Sequence, residues 1–381
     1  MPALLSVILE RVADNGGTGP VRVLHVAQPV EAGVARVVAG LAHDQTARGW
    51  DVTVACPGDG WLPGVVRAAG AHTLTWSATR SPGPGVPAET AALARLVAAA
   101  DPQLVHLHSA KAGLAGRLAV RGRRPTVFQP HAWSFEAVTG PVQLATRGWE
   151  RFAQRWTSLT VNVSESELAT GRAAGIGGRA VVVVNGVDAD AWPPLDRADS
   201  RQALGLAAGP LVVCVGRLAR QKGQDLLLRA WPSVRAAVPG ARLALVGTGP
   251  DEQALRAAAD SSVLFAPAER LDRWYAAGDV VAVPSRWEAG LPLVAMEAMS
   301  SRRSVVAFDV AGIGPSLGDA GTAVPFEDVP ALAAALAARL QDPSLADCEG
   351  EVGREVCRTR FAAATSYRAT AEHVLSLLGD R

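Results

Sequence analysis

The feature that most constrains the fold is an alternation, repeated along the chain, of short apolar segments with longer segments of helical periodicity. Apolar runs of about four to eight residues bounded by Gly or Pro are typical of buried strands, whereas apolar residues three and four positions apart indicate helices. Strands that alternate with helices form βαβ units and a parallel sheet. In the first half we predict strands at 21–29, 50–58, 104–109 and 125–131, and helices at 33–49, 87–102 and 111–122.

The second half of the chain repeats this plan and ends in a helical tail from about residue 351. A segment rich in Pro and charge at 186–194 separates the halves, and we interpret it as a hinge. We therefore predict an α/β protein of two doubly wound, Rossmann-like domains. Ligands of such sheets bind beyond the carboxyl ends of the strands, so we expect the site in the cleft between the domains. The strands predicted here are 210–218, 241–249, 262–267, 279–285 and 304–309.

The composition excludes several classes of protein. The chain has 37 basic and 36 acidic residues and is 49% hydrophobic, so it is neither disordered throughout nor charged like a nucleic-acid-binding protein. No apolar run reaches the roughly 18 residues of a membrane span, and the first 20 residues lack the basic start of a signal peptide. The four cysteines form no CxxC pair, which fits a reducing compartment. We predict a cytoplasmic protein with no nucleic-acid partner.

Lysine is rare in this chain, because Lys111 and Lys222 are the only lysines among its 37 basic residues. Lys222 lies five positions after Arg217, in a predicted turn between a strand and a helix. Two cations and the N–H groups of a helix N-terminus can converge on one pyrophosphate. The GxxxxGK[ST] loop is absent, so this is a different kind of phosphate site, or else simply two solvated loop cations.

Further polar or glycine positions follow predicted strand ends in the first half. Gly33 opens a helix after the first strand, where a missing side chain lets a ligand approach the backbone. His108 and His131 follow two other strands, and Lys111 opens the helix after His108. A single histidine is more often structural, but carboxyl ends of parallel strands lie along one edge of a sheet. We therefore predict that these residues line the cleft.

Two glutamates flank a strand-to-helix turn in "SRWEAGLPLVAMEAMS" (285–300). A carboxylate in such a position either accepts hydrogen bonds from sugar hydroxyls or acts as acid, base or nucleophile. With a diphosphate site in the same domain, we predict that one of Glu288 and Glu297 binds a ribose. Asp188 and Asp190 have no further carboxylate nearby, so we predict no metal site there.

The ordered motifs of the chain resemble the retaining glycosyltransferases of family GT4, which have the GT-B fold, over roughly residues 21–375. The resemblance implies an acceptor-side domain at 1–186, a nucleotide-sugar-binding domain at 187–355, and a C-terminal helix at 356–381 that crosses back to the first domain. The matching motifs are "GVARVVAGLA", "HLHSAKAGLAGRLA", "QPHAWSF", "VNVSESE", "VVNGVD", "VGRLARQKG", "LVGTGP" and "SRWEAGLPLVAMEAM".

The resemblance also implies a role for each matching residue. Arg217 and Lys222 would bind the donor diphosphate, and Glu297 the nucleotide ribose. The donor would be a nucleotide-diphosphate sugar, with no metal and no cofactor, and the leaving phosphate would help to deprotonate the acceptor. The other matches are Glu288 and His131 as catalytic residues at the transferred sugar; Gly290, Leu293 and Val294 as backbone donors to sugar and phosphate; Gly33 beside the donor; and His108, Lys111 and Asn185 as cleft or acceptor residues.

Two departures from the family pattern concern the donor site. The family has seven residues between its two glutamates, whereas Glu288 and Glu297 are separated by eight, which places Ala289 where the first acid is expected. Either the loop bulges and returns Glu288 to the site, or this acid is displaced. A glycine common near the base is replaced by Ala266–Pro267, so the nucleotide base is left open.

The acceptor is suggested by a basic aromatic helix at 139–156. Such a helix either contacts a membrane carrying a lipid-linked acceptor at the inner face, or packs its aromatic residues on the domain core. Packing on the core is the more common behaviour of such a helix. Similarity to enzymes of surface polysaccharide and glycolipid synthesis suggests a lipid-linked acceptor as a hypothesis, and a natural-product acceptor is its rival. The sequence is also compatible with a sugar-nucleotide epimerase of the same fold and with a non-catalytic two-domain sugar-binding protein. The helix residues concerned are Trp149, Phe152, Trp156, Arg147, Arg151 and Arg155.

Overall fold

A computed structural model of the chain describes residues 19–379, so most of the N-terminal segment considered as a signal peptide lies outside the described residues. The first half contains seven strands and six helices of at least seven residues among the residues described. In chain order they are β1 (Arg22–Ala27), α1 (Ala32–Ala47), β2 (Asp51–Cys56), α2 (Leu62–Ala68), β3 (His72–Thr75), α3 (Val86–Ala100), β4 (Leu104–His108), α4 (Ser109–Val120), β5 (Thr126–Gln129), α5 (Gly140–Ala153), β6 (Leu159–Asn162), α6 (Glu165–Ala173) and β7 (Ala180–Val182).

These seven strands form one parallel sheet in the order β3-β2-β1-β4-β5-β6-β7. Apolar clusters cover both faces of the sheet, which is why β1 and β4 are buried along almost their whole length. Helix α4 lies close to the sheet at two glycines: a Cβ at Gly113 or Gly116 would come within 2.3 Å of a Phe128 or Leu107 side-chain atom. The strand order reverses between β1 and β4, so the first switch point of the fold lies at their carboxyl ends.

The second half continues with a further series of strands and helices. In chain order they are α7 (Arg197–Ala203), β8 (Leu211–Val215), α8 (Gln224–Ala237), β9 (Arg242–Val246), α9 (Glu252–Ala258), β10 (Val263–Ala266), α10 (Leu271–Ala277), β11 (Val280–Val283), α11 (Leu293–Ser300), β12 (Ser304–Phe308), α12 (Ile313–Leu317), β13 (Gly321–Val324), α13 (Val329–Gln341), α14 (Pro343–Thr359) and α15 (Ala363–Gly379).

The strands of the second half form a six-stranded parallel sheet in the order β10-β9-β8-β11-β12-β13. Two apolar clusters pack on its opposite faces, and the Trp231 indole N–H in one of them donates to Ser262 Oγ at 2.8 Å. The chain leaves β8 toward β9 on one side and later returns to β11 on the other. The second switch point therefore lies at the carboxyl ends of β8 and β11.

The described chain divides into two compact units. One comprises the residues up to Val183 together with Ala364 onward, and the other comprises Val184–Ala363. Helix α15 belongs to the first unit, where Val374 and Leu377 pack in the same cluster as Val23 and Leu104.

The prediction of two doubly wound α/β sheets is confirmed, and each strand predicted from an apolar run has its counterpart. The sequence pattern missed four short strands at or near sheet edges, namely β3, β6, β7 and β13. Among residues 19–379, no helix has the combined length and apolarity that a membrane crossing requires.

Candidate functional site

Lys222 lies at the second switch point, in a short 3₁₀ turn (220–222) between β8 and α8. Gly223 follows with φ of +66°, and a Cβ there would lie 1.9 Å from the carbonyl oxygen of Pro284, just past β11. The missing side chain lets the two strand ends touch. The Arg217 carbonyl accepts a hydrogen bond from Gln224 Nε2 at 3.0 Å, which ties the start of this turn to the helix that follows.

Arg286 fastens the loop after β11 to the same turn. Its backbone N–H donates to the Gln221 carbonyl at 2.8 Å, and its guanidinium donates to the Arg220 carbonyl at 2.9 Å. The guanidinium also forms two hydrogen bonds with the Asp225 carboxylate, at 2.7 and 2.6 Å, and this pairing lowers the pKa of Asp225. The loop that carries Glu288 is thus held against the turn that carries Lys222.

Lys222 and Glu288 meet directly. The lysine ammonium donates to Glu288 Oε1, and the Ser285 hydroxyl donates to the same oxygen at 2.7 Å. The glutamate side chain is 9% exposed and the lysine side chain 21%, so the lysine side chain is partly open to solvent. The spacing between Glu288 and Glu297 is one residue longer than in the family pattern. The loop nevertheless directs the Glu288 carboxylate toward Lys222, the residue predicted to bind the diphosphate.

Glu297 lies on α11 and is almost fully buried. The buried Tyr275 hydroxyl donates to Glu297 Oε2 at 2.8 Å, which fixes one carboxylate oxygen. Leu293 and Val294 are the first two residues of α11, after the loop containing Gly290. Backbone N–H groups in the first turn of a helix have no acceptor within that helix, and they favour an anion.

In the first unit, Gly33 is the second residue of α1, which follows β1 after a short loop at the first switch point. His108 is the last residue of the adjacent β4, and His131 follows β5. The backbone of His131 has φ of +54° and that of Ala132 +90°, conformations that a residue with a side chain adopts rarely. The structure therefore gathers Gly33, His108 and His131 at one edge of the first sheet.

Lys111 and Asn185 are placed differently. The Lys111 ammonium is 2.5 Å from Glu89 Oε2, with both side chains buried, and it donates to the Ser81 carbonyl at 3.2 Å. Lys111 thus joins α3, α4 and the loop before α3 within the first unit. Asn185 is half-buried in the segment that begins the second unit. Asp188 Oδ1 accepts the Asp190 backbone N–H at 3.0 Å, so this carboxylate stabilises a turn.

Four histidines pack together in the first unit: His25 and His106 join the two predicted from the sequence. The His106 and His108 rings are 4.0 Å apart between centroids, and those of His108 and His131 are 5.6 Å apart. Burial lowers the pKa of His25 to about 4 and that of His131 to about 3, and it holds the pKa values of His106 and His108 well below the ordinary range. All four imidazoles are therefore neutral at pH 7.

These pKa shifts predict acid sensitivity. Below about pH 6.5 the unfolded chain protonates histidines that the folded chain keeps neutral, so the unfolded state binds more protons. The free energy of unfolding is therefore expected to fall as the pH drops from about 6.5 toward 4, by about 1.4 kcal/mol per pH unit for each buried histidine. Guanidinium unfolding at several pH values measures this slope. The variant His106→Phe is expected to lower this slope by the contribution of one proton, because one buried histidine is gone. An unchanged slope would contradict the prediction.

Two family profiles match the chain. The one described as "Glycosyltransferase Family 4" matches residues 32–191, and the one described as "Glycosyl transferases group 1" matches residues 209–342. The chain belongs to the group 1 glycosyltransferases of family 4.

Several curated relatives of this family 4 chain transfer mannose by name. The chain is 39% identical over 187 residues to the GDP-mannose-dependent alpha-(1-6)-phosphatidylinositol monomannoside mannosyltransferase of Mycolicibacterium smegmatis, a match covering 44% of the chain and 49% of the relative. It is 32% identical over 213 residues to the lipopolysaccharide core biosynthesis mannosyltransferase LpcC of Rhizobium leguminosarum bv. viciae, covering 52% of the chain and 60% of the relative. The matches thus span about half the length of these relatives.

Solved structures show the same fold at lower identity. The family 4 chain matches sucrose-phosphate synthase from Thermosynechococcus elongatus with a TM-score of 0.80 and 22% identity, over 95% of this chain and 100% of that one. It matches Anabaena HepE in complex with UDP and glucose with a TM-score of 0.80 and 22% identity, over 93% and 99%. The predicted GT-B fold is confirmed.

Proposed function

We propose that this protein transfers a sugar from a nucleotide-diphosphate sugar to an acceptor hydroxyl with retention of the anomeric configuration. The observation that carries the proposal is the position of Lys222, Glu288 and Glu297. The first two follow β8 and β11, the neighbouring strands at the second switch point, and Glu297 lies on the helix that begins after this loop. A cation beside a helix N-terminus suits a diphosphate, and a buried, hydrogen-bonded carboxylate suits ribose hydroxyls.

In this proposal the main task of the protein is to stabilise the charge that develops on the leaving phosphate. Lys222, Arg217 and the first N–H groups of α11 supply positive charge and oriented dipoles. The leaving phosphate then helps to take the proton of the attacking acceptor hydroxyl on the same face of the sugar. Glu288, held by the Ser285 hydroxyl, lies beside the transferred sugar. No metal ion or cofactor takes part in this proposal, because lysine, arginine and the helix N-terminus fill the cationic role.

A thermal-shift panel with UDP, GDP, ADP and dTDP tests the donor site. One diphosphate is expected to raise the unfolding midpoint by mass action, by an amount that grows with its concentration. The names of the mannosyltransferase relatives make GDP the first candidate. Stabilisation should persist in excess EDTA. If no diphosphate stabilises well-folded protein, the donor assignment fails. If one does, release of diphosphate that depends on an acceptor separates a transferase from an epimerase or a binding protein.

We further propose a lipid-linked acceptor reached at a membrane surface through the start of α5. Val142 is 57% exposed and Leu144 68%, whereas Trp149 packs against Phe152 and Trp156, with ring centroids 6.2 and 6.4 Å away. Trp149 thus packs on its aromatic neighbours, and the most exposed large apolar side chains of α5 are the aliphatic Val142 and Leu144, followed by Phe152 at 43%. The names of the two mannosyltransferase relatives, a phosphatidylinositol monomannoside and a lipopolysaccharide core enzyme, support this class of acceptor.

Sedimentation with vesicles of phosphatidylglycerol and phosphatidylcholine tests the membrane contact. We expect the double variant Val142→Ser and Leu144→Ser to bind at least about tenfold more weakly than wild type, because two apolar side chains no longer enter the lipid. The control is Leu345→Ser, at an apolar position 38% exposed on α14 in the other unit. Equal binding of all three proteins, or none by the wild type, would refute the membrane contact.

A further inference from the structure

Three of the four clustered histidines belong to one chain of hydrogen bonds that begins at a buried glutamine. Gln45 Oε1, on α1, is 2.8 Å from His25 Nε2. His25 Nδ1 is 2.9 Å from His108 Nε2, and His108 Nδ1 is 3.3 Å from His131 Nε2. Gln45, His25 and His108 are fully buried. These hydrogen bonds therefore run from the core of the first unit to the edge of the first sheet, where His131 lies.

The direction of each hydrogen bond follows from the first one. The Gln45 carbonyl oxygen only accepts, so His25 Nε2 carries the hydrogen. A neutral imidazole has one N–H, which makes His25 Nδ1 an acceptor and His108 Nε2 a donor. By the same step His108 Nδ1 accepts and His131 Nε2 donates. The remaining ring nitrogen of His131, Nδ1, is then a lone-pair acceptor.

This chain also bears on a metal site, since His25, His106 and His108 have ring nitrogens within 4.8 Å of one another. A metal ligand must offer a lone pair. Because His25 Nδ1 and His108 Nε2 already share one hydrogen, they cannot both offer lone pairs while that bond exists. The short distance between His25 Nδ1 and His108 Nε2 is therefore explained by a hydrogen bond and not by a shared metal ion.

The backbone around His131 is held in place by a second set of contacts. The N–H of Ala132 donates to Glu167 Oε1 at 2.7 Å, and the N–H of Val163 donates to Glu167 Oε2 at 2.7 Å. These bonds tie the left-handed conformation of His131 and Ala132 to α6. A strained backbone that neighbouring contacts maintain is frequent where a side chain must point in one direction.

We propose that Gln45, His25 and His108 are positioning residues that fix His131 as a neutral Nε2–H imidazole, whose Nδ1 accepts a hydrogen bond from a hydroxyl group of a substrate. The assignment to a substrate hydroxyl rests on the proposed function. An uncharged acceptor selects O–H groups. The buried side chains of Gln45, His25 and His108 thus determine which nitrogen of His131 accepts, although none of them contacts the substrate.

Long-range ¹H–¹⁵N correlation spectra of histidine-labelled full-length protein at pH 7.5 read the tautomers directly. We expect Nε2–H forms for His25, His108 and His131, assigned with single His→Gln variants. In Gln45→Met, which keeps the length of the side chain and removes the acceptor, His131 should show a mixture of tautomers. In the control His106→Phe, which replaces a neighbouring imidazole that is outside the hydrogen-bonded series, His131 should keep its Nε2–H form.

A His131 that carries its hydrogen on Nδ1 in the wild type, or a tautomer unchanged in Gln45→Met, would overturn the proposal. The wild-type spectrum gives this answer even if the variant does not fold. Once a donor is known, Gln45→Met is expected to lower kcat/KM about tenfold, and His106→Phe less than about twofold; equal losses in the two variants would also overturn the proposal. Failure of the donor site itself is detected separately, because the spectra need no nucleotide.

Discussion

Replacing Lys222 by alanine is expected to abolish the thermal shift produced by the nucleoside diphosphate and to lower kcat/KM by about 10³-fold. The ammonium contacts Glu288 and the lysine side chain is partly open to solvent, so we expect a diphosphate to reach it without rearrangement of the fold. A positive charge is most effective where negative charge develops on a leaving group in a site screened from water. Isothermal titration with the stabilising diphosphate and steady-state kinetics measure the two losses.

Arg220→Ala is the matched control for this variant. Arg220 belongs to the same 3₁₀ turn and has the same charge, but its side chain is exposed, and its carbonyl bond to Arg286 survives the substitution. We expect this variant to bind the diphosphate within about twofold of the wild type, because exposed cations contribute little. Similar losses in both variants would show that net charge, and no specific phosphate contact, governs binding.

The switch points were predictable from the sequence because they depend only on strand order and on which residues follow each strand. Lys222 was identified by its rarity and by its place after β8, and Gly33 and His108 by the ends of β1 and β4. Short strands such as β3 were missed because His72–Thr75 has a polar, half-exposed pattern with no apolar run to mark it.

Contacts between distant segments were not predictable in the same way. The ion pair of Arg286 with Asp225 joins residues 61 positions apart, and the Tyr275 hydroxyl bond to Glu297 depends on how α10 packs beside α11. No local pattern marks either pair. The eight-residue spacing left the position of Glu288 undecided. The path of its loop depends on contacts such as those of Arg286, and the length of the loop alone does not determine it.

His25 is a different kind of omission, because the sequence did carry a signal. A histidine in the middle of the apolar strand "RVLHVA" must be buried, and a buried imidazole needs a hydrogen-bond partner. His106 stands two residues before His108 on the neighbouring strand, so both face the same side of the sheet. Polar residues inside two adjacent strands predict a buried network, although the register that pairs them is known only from the fold.

Gly223→Ala is expected to destabilise the second unit by about 3 kcal/mol or more and to remove diphosphate binding with it. The added Cβ would lie 1.9 Å from the Pro284 carbonyl oxygen, and no flexible side chain is there to move aside. The turn would have to withdraw from the end of β11, which separates Lys222 from Glu288 and breaks the bonds of Arg286. Guanidinium unfolding and the diphosphate thermal shift measure the two effects.

Gly240→Ala separates this close approach from backbone strain. Gly240 also has a positive φ, +85°, but nothing lies within 4 Å of the position its Cβ would occupy. It should destabilise the same unit by only about 1 kcal/mol, the cost of a left-handed conformation, and leave the diphosphate shift intact. If the two variants lose equal free energy of unfolding, the close contact between the turn after β8 and the loop after β11 does not contribute to stability. If Gly223→Ala alone loses binding, the carboxyl ends of β8 and β11 must stay in contact for Lys222 to meet its ligand.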